Sequence, residues 1–244
     1  MQLKLYVIHG SPPCAAIEKA LALKGLAYDK VEWPPPLHAA IQWLTFGART
    51  VPALKLSGNG GLEKISGSRA IMRRLEQLEP DPPLFPADPG LRAAVVDAET
   101  WGDEVLQPLC RTLVWRAMLR SPDAMVSYSE GSRLPLPAGA IRLLAPGIAR
   151  VERVMNDATE DAARRDLQAL PGFLDRIDAW IAARTIGDAA RPNAADLQIF
   201  SVLRLLMTLA DVRPMLGARP CAGVARALFE AVPGEMPAGS LPTV

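Results

Sequence analysis

The chain has 244 residues, half of them hydrophobic and 22% charged, which argues against disorder and sits near the length at which one core divides into two. Its 27 basic and 26 acidic residues almost cancel, so no global charge draws it to nucleic acid or to an anionic membrane. Cys14, Cys110 and Cys221 are odd in number and far apart, with only His9 and His38 as further soft ligands, which points to a reducing, cytoplasmic setting without a disulfide framework or a metal site.

The opening MQLKLYVIHG is too short in its apolar part and too alternating for a secretion signal. Leu3, Leu5 and Val7 alternate as one face of a strand over Gln2 to Ile8. A loop with Gly10, Pro12 and Pro13 leads to a helix over Cys14 to Lys24, closed by Gly25. Leu26 to Trp33 reads as a second strand, interrupted by Pro34 to Pro36, and Leu37 to Leu44 as a short helix. Pro52 to Ser57 and Leu62 to Ser66 flank the turn Ser57-Gly58-Asn59-Gly60-Gly61 as a hairpin, and Ser68 to Leu78 is a helix with Ala70, Ile71, Leu75 and Leu78 on one face. A helix between the first two strands lets them run parallel, and the hairpin adds an antiparallel edge. This order is that of an α/β thioredoxin-like domain, over residues 1–79.

Glu79 to Gly90 (EPDPPLFPADPG) holds five prolines and ends any helix, which makes residues 80–90 a linker. Residues 91–244 carry helical patterns and no strand pattern, giving an all-α helical-bundle domain. The expected helices are Leu91–Arg120, Ala138–Asp157, Thr159–Ala183, Asn193–Leu216 and Cys221–Ala231, with a polar loop over Ser121 to Pro137 and an irregular tail from Pro233. Ile199 to Val212 is the most apolar stretch, but Arg204 and Asp211 break it well short of a membrane span.

Three short segments carry chemistry. Ser11-Pro12-Pro13-Cys14 lies between the first strand and the first helix, where backbone N–H groups at the helix start favour an anion. With serine at the exposed first position, dithiol exchange is broken, but a hydroxyl can donate to the sulfur of a bound thiol and favour its thiolate. Lowering a thiol pKa of ~8.5 by about two units takes roughly 2.7 kcal/mol, and one hydrogen bond to a charged acceptor supplies ~1.5–3 kcal/mol. The plainer alternative is that Ser11 only caps the helix. In Thr50-Val51-Pro52-Ala53-Leu54 a proline enters a strand; a cis bond there would leave Val51 to offer its N–H and C=O to an extended ligand, against the alternative of an ordinary trans proline. In Gly67-Ser68-Arg69-Ala70-Ile71, Ser68 stands at a helix start and can hold a carboxylate, or merely cap.

Taken together and in this order, these segments resemble the glutathione transferase superfamily, in particular its serine-type bacterial and theta-like members. SPPC followed by AAIEKALALKGLAY places Ser11 where the thiol-activating serine stands, TVPAL is similar to the cis-proline segment, and Ser68-x-Ala70-Ile71 to the γ-glutamyl carboxylate site. Ile186-Gly187-Asp188 before Asn193-Ala194-Ala195-Asp196 resembles the family's buried turn and capping box. The resemblance implies glutathione or another small thiol as cosubstrate, no metal or redox cofactor, a hydrophobic electrophilic small molecule as second substrate, and a homodimer. It assigns Val51, Pro52, Gly67, Ser68 and, from the region facing the glycine carboxylate, His38 to glutathione binding. It assigns Trp101, Arg111 and Trp115, on the first long helix, to the acceptor pocket. Two departures stand out: Gly67 occupies a position usually acidic or amide, and Phe46-Gly47-Ala48-Arg49 replaces an Asn-Pro-x-Gly segment. The expected function is conjugation of a thiol to an electrophile with Ser11 stabilising the thiolate. The alternatives are glutathionyl or disulfide exchange through Cys14, and a transferase-like binding module without catalysis.

Overall fold

The computed structural model describes residues 1–58, 61–134 and 136–243; the turn residues Asn59 and Gly60 lie outside it. The N-terminal unit runs β1 (Gln2–Val7), α1 (Pro12–Leu23), β2 (Asp29–Glu32), α2 (His38–Phe46), β3 (Ala53–Gly58), β4 (Gly61–Ser66) and α3 (Ser68–Leu78). The sheet order is β2-β1-β3-β4, with β1 parallel to β2 and both β1–β3 and β3–β4 antiparallel. This is the mixed sheet expected of a thioredoxin-like domain. Leu5, Leu54, Ile17, Leu21, Ile71 and Leu75 bury its centre.

Most element ends fall within one or two residues of expectation, and two departures have a plain consequence or cause. The strand β2 spans four residues rather than Leu26 to Trp33. Helix α1 starts two residues early, with Pro12 and Pro13 as its first positions, where a fixed φ suits the helix and a missing N–H breaks no bond.

Beyond the linker come α4 (Pro89–Trp101), a π-helical turn (Gly102–Leu106), α5 (Gln107–Arg120), a 3₁₀ turn (Pro122–Ala124), α6 (Met125–Tyr128), α7 (Ala138–Met155), α8 (Glu160–Ala182), α9 (Ala194–Leu206), α10 (Arg213–Leu216) and α11 (Pro220–Leu228). The single helix expected over Leu91 to Arg120 is thus two helices joined by a wider turn. Pro108 has no N–H to give to the carbonyl of Glu104, which loosens that turn. Gly102 within it faces α9 so closely that a Cβ would sit 2.9 Å from Ile199 Cγ1. The helix expected over Asn193 to Leu216 also breaks after Leu206. The C-terminal tail takes over the backbone bonds there: Met236 donates to the carbonyl of Thr208 (2.9 Å) and accepts from Ala210 (3.0 Å).

Every residue of α9 but Arg204 is buried, as a helix at the centre of a bundle requires. It packs against α1 as well as α4, α5 and α11, so one helix joins the two units. The linker is pinned too. The buried ammonium of Lys24 donates to Glu76 Oε2 (2.8 Å) and to the carbonyls of Glu79 (2.6 Å) and Pro82 (3.0 Å), while Glu76 Oε2 accepts from the Leu84 N–H (3.0 Å). Among the described residues no helix is long and apolar enough to cross a membrane.

Candidate active site

A cavity of about 270 Å³ opens between the two units. Its floor is the loop after β1 (His9, Gly10 and Ser11), with Glu32, Pro35, His38 and Val51 beside it. Its roof is helical: Gln107, Arg111, Val114, Trp115 and Met118 from α5, Met125 and Tyr128 from α6, and Ile141, Leu144, Ile148 and Glu152 from α7. The spacing on α5 and α7 puts each set on one helical face.

Ser11 is the N-cap residue of α1, yet its side chain makes no capping hydrogen bond. Its hydroxyl lies by the thiol of Cys14 instead and lines the cavity. Cys14 itself is only 2% exposed, and burial pushes its thiol up to about 12 despite the hydrogen bond from Ser11. Such a thiol is a poor nucleophile at neutral pH. The anion-favouring helix start is weaker than expected, because prolines at the first two positions leave Cys14 as the first residue of α1 with an N–H to offer.

The Val51–Pro52 bond is cis. Val51 lines the cavity, and neither its N–H nor its C=O has a backbone partner among the described residues. Gln42, fully buried, holds the adjacent loop by donating to the carbonyl of Thr50 (3.2 Å) and accepting from Trp33 Nε1 (3.2 Å). Pro52, Gly67 and Ser68 lie outside the cavity wall. Ser68 is 3% exposed, and its hydroxyl donates to Gln198 Oε1 (3.0 Å) on α9, so it is not free to hold a ligand carboxylate; only its N–H, at the first position of α3, has no partner among the described residues. Gly67 has φ +91°, a conformation that favours glycine, although a Cβ there would meet nothing within 4 Å.

Among the expected acceptor residues the structure brings Arg111 and Trp115 to the cavity and excludes Trp101. Trp101 ends α4 in a separate cluster, edge-on to Phe173 (5.2 Å) and Trp180 (5.3 Å), with the Arg176 guanidinium against its ring. Arg111 makes no ion pair and no side-chain hydrogen bond among the described residues, and burial pulls its pKa down. His38 stands at the start of α2, 9% exposed, with Nδ1 3.6 Å from Oε1 of Glu152, which is 3% exposed.

The sequence reading missed Glu152, Tyr128 and the rest of the α6 and α7 wall. Tyr128 is anchored through its hydroxyl to Thr208 Oγ1 (2.5 Å). The segment after α6 is tied across the cavity mouth, where His9 Nε2 donates to the carbonyl of Glu130 (2.8 Å) and Glu32 accepts from Ser132 and from the Arg133 N–H (3.1 Å). The available signal was Ile141, Leu144, Ile148 and Glu152, a helical stripe whose last member is charged. No group of three or more His, Cys, Asp or Glu is placed to hold a metal among the described residues.

Residues 5–83 match the family profile described as "Glutathione S-transferase, N-terminal domain". No curated protein matches the sequence. Among solved structures, the β-etherase LigF from Sphingobium sp. strain SYK-6 is similar at 20% identity and TM-score 0.66, over 93% of each chain. A glutathione S-transferase from Rhodospirillum rubrum F11 is similar at 19% identity and TM-score 0.64, over 98% of each. Maleylacetoacetate isomerase from Anaeromyxobacter dehalogenans 2CP-1, solved with bound dicarboxyethyl glutathione and citrate, is similar at 23% identity and TM-score 0.54, over 95% of this chain and 92% of that one. Residues 5–83 are therefore similar to the N-terminal domain of glutathione S-transferases, and the chain as a whole shares the fold of these solved structures.

Proposed function

We propose that this protein binds a small thiol, glutathione foremost, and transfers it to an electrophilic small molecule. The observation that carries the reading is the placement of Ser11: at the N-cap of α1 its side chain makes no capping bond, and it lines a cavity roofed by a largely apolar wall. A hydroxyl there donates to a bound thiolate, and the cis Val51–Pro52 segment offers an unpartnered backbone edge to an extended ligand. Trp115, Met118, Ile141 and Ile148 suit an apolar electrophile, with the unpaired guanidinium of Arg111 for an electron-rich oxygen on it. Bringing thiolate and electrophile together in such a site is most of what the reaction needs. Exchange through Cys14 is disfavoured by the burial of that thiol.

A second reading, a binding module without turnover, is favoured by the engaged hydroxyl of Ser68 and the absent acidic side chain at Gly67. Thermal unfolding with glutathione, with its S-methyl analogue and with a thiol lacking the γ-glutamyl group tests the thiol site, and turnover of the stabilising thiol with an electrophile separates the two readings. Glutathione at 100 times its dissociation constant should add about 2.7 kcal/mol of stability. No stabilisation by any of the three removes the thiol site.

A further inference from the structure

Ser11 leaves one step of this chemistry undone. A hydroxyl stabilises a thiolate by donating a hydrogen bond, but it has no capacity to keep the proton that the thiol gives up. The same cavity contains a pair of groups that does. His38 comes from α2 of the N-terminal unit and Glu152 from α7 of the helical unit, so they meet across the cleft. His38 Nδ1 and Glu152 Oε1 are each buried without a hydrogen-bond partner among the described residues, and they face each other at 3.6 Å. Buried polar atoms are ordinarily satisfied, so two orphans pointed at one another are an unusual arrangement. At that separation a small closure completes the bond, and catalytic hydrogen bonds are commonly long before ligand binds.

Burial pushes the Glu152 carboxyl up, and two neighbouring groups oppose that push and favour the carboxylate. Its Oε2 accepts from Asn156 Nδ2 (3.1 Å), and Asn156 is itself held to the Glu152 carbonyl (2.8 Å). Arg111 adds a favourable positive charge. A carboxylate opposite Nδ1 selects the tautomer with its proton on Nδ1, which leaves the lone pair on Nε2. Nε2 has no partner among the described residues, and the ring lines the cavity. The same contact explains why His38 is a poor host for a ligand carboxylate, since Glu152 is already the anion beside it.

We propose that His38 is the proton acceptor for the bound thiol and that Glu152 is the positioning carboxylate that holds its ring. This rests on the thiol-transfer reading above. In the step, the S–H bond breaks, its proton passes to Nε2 directly or through one water, and its electron pair stays on sulfur beside the Ser11 hydroxyl. The sulfur then forms the bond to the electrophilic carbon, and the electron pair displaced from that carbon goes to the leaving group or to a conjugated carbonyl. That group receives the proton from Nε2, so the site returns to its starting state with no other reactant. Burial lowers the basicity of His38, which keeps the imidazole neutral and ready to accept.

The other titratable or charged groups around the pair are Arg111 on α5, Tyr128 on α6, Glu32 at the end of β2 and His9 after β1, while Lys64 lies against the far end of α2 at the Thr45 carbonyl. With only two histidines in the chain, nitrogen-15 labelling resolves His38 from His9 once the His38→Gln variant has assigned them. The expected spectrum shows His38 with the proton on Nδ1. Glu152→Gln should lower its titration midpoint by roughly one unit, through loss of the opposing charge. With glutathione and 1-chloro-2,4-dinitrobenzene, His38→Gln should reduce kcat at neutral pH by about 100-fold, recovering as pH rises. Glu152→Gln should reduce kcat with little change in KM for the thiol and move the acidic limb of the profile to lower pH, which a merely structural role would not do. A His38 titration unchanged in Glu152→Gln, or full activity in His38→Gln, overturns the proposal. An inactive wild type with the histidine signature intact breaks the thiol-transfer reading and not the dyad. An active wild type without that signature breaks the dyad and not the reading.

Discussion

Two regions of the molecule bury polar side chains, and they treat them in opposite ways. At the start of α9, Asn193 Oδ1 accepts from the N–H groups of Ala195 (3.0 Å) and Asp196 (3.1 Å), and Asn193 Nδ2 donates to the Thr185 carbonyl (2.9 Å). Asp196, 1% exposed, accepts from the Asn193 N–H (2.8 Å) through one oxygen and from the Gly187 N–H (2.5 Å) through the other. Nothing there is left to bind a ligand. In the cavity, Ser11 caps nothing, Arg111 has no counter-ion, and His38 and Glu152 face each other without a bond. A satisfied buried network holds a fold together, while unsatisfied groups around a cavity are kept for something that arrives later.

The sharpest way to break that contrast is at Asp196. Asp196→Ala removes the acceptor for two backbone N–H groups, and each donor stranded in the interior costs about 1–3 kcal/mol. Urea unfolding should show a loss of about 2–4 kcal/mol, with thiol turnover per folded molecule unchanged. A loss below ~1 kcal/mol would put the start of α9 in the same class as the cavity.

Much of this contrast was legible in advance. The capping box could be read from Asn193 and Asp196 because both partners lie three residues apart, within one helical turn. The sheet order followed from alternation and from one crossover helix. Ser11, Val51 and Arg111 reach the cavity because each is set by its local element. What local sequence does not show depends on distant chain. Local sequence offers Ser68 to a ligand, but its hydroxyl donates to Gln198, 130 residues on. Trp101 looked like pocket wall on a continuous helix, yet the π-helical turn after it and the Phe173–Trp180 cluster place it elsewhere. Glu152 was invisible as a partner of His38 because nothing local joins α2 to α7.

A smaller effect sharpens the comparison from the cavity side. Cys14, Cys110 and Cys221 are all buried, and burial pushes each thiol up to about 12. Native protein should therefore show no rapidly alkylated thiol at neutral pH, with all three reacting after unfolding in urea. A fast-reacting Cys14 would move the chemistry from the bound thiol to the protein's own.

The most direct test concerns the sulfur proposed to bind beside Ser11. The ultraviolet absorbance of thiolate, followed against pH for glutathione bound to the wild type, Ser11→Ala and Cys14→Ser, reads the thiol's ionisation inside the cavity. Bound to the wild type, the thiol should ionise about one to two units below a free thiol's ~8.5; Ser11→Ala should return it most of the way, and Cys14→Ser should leave it unchanged. A midpoint that ignores Ser11→Ala, or one that follows Cys14→Ser, would contradict the role given to Ser11.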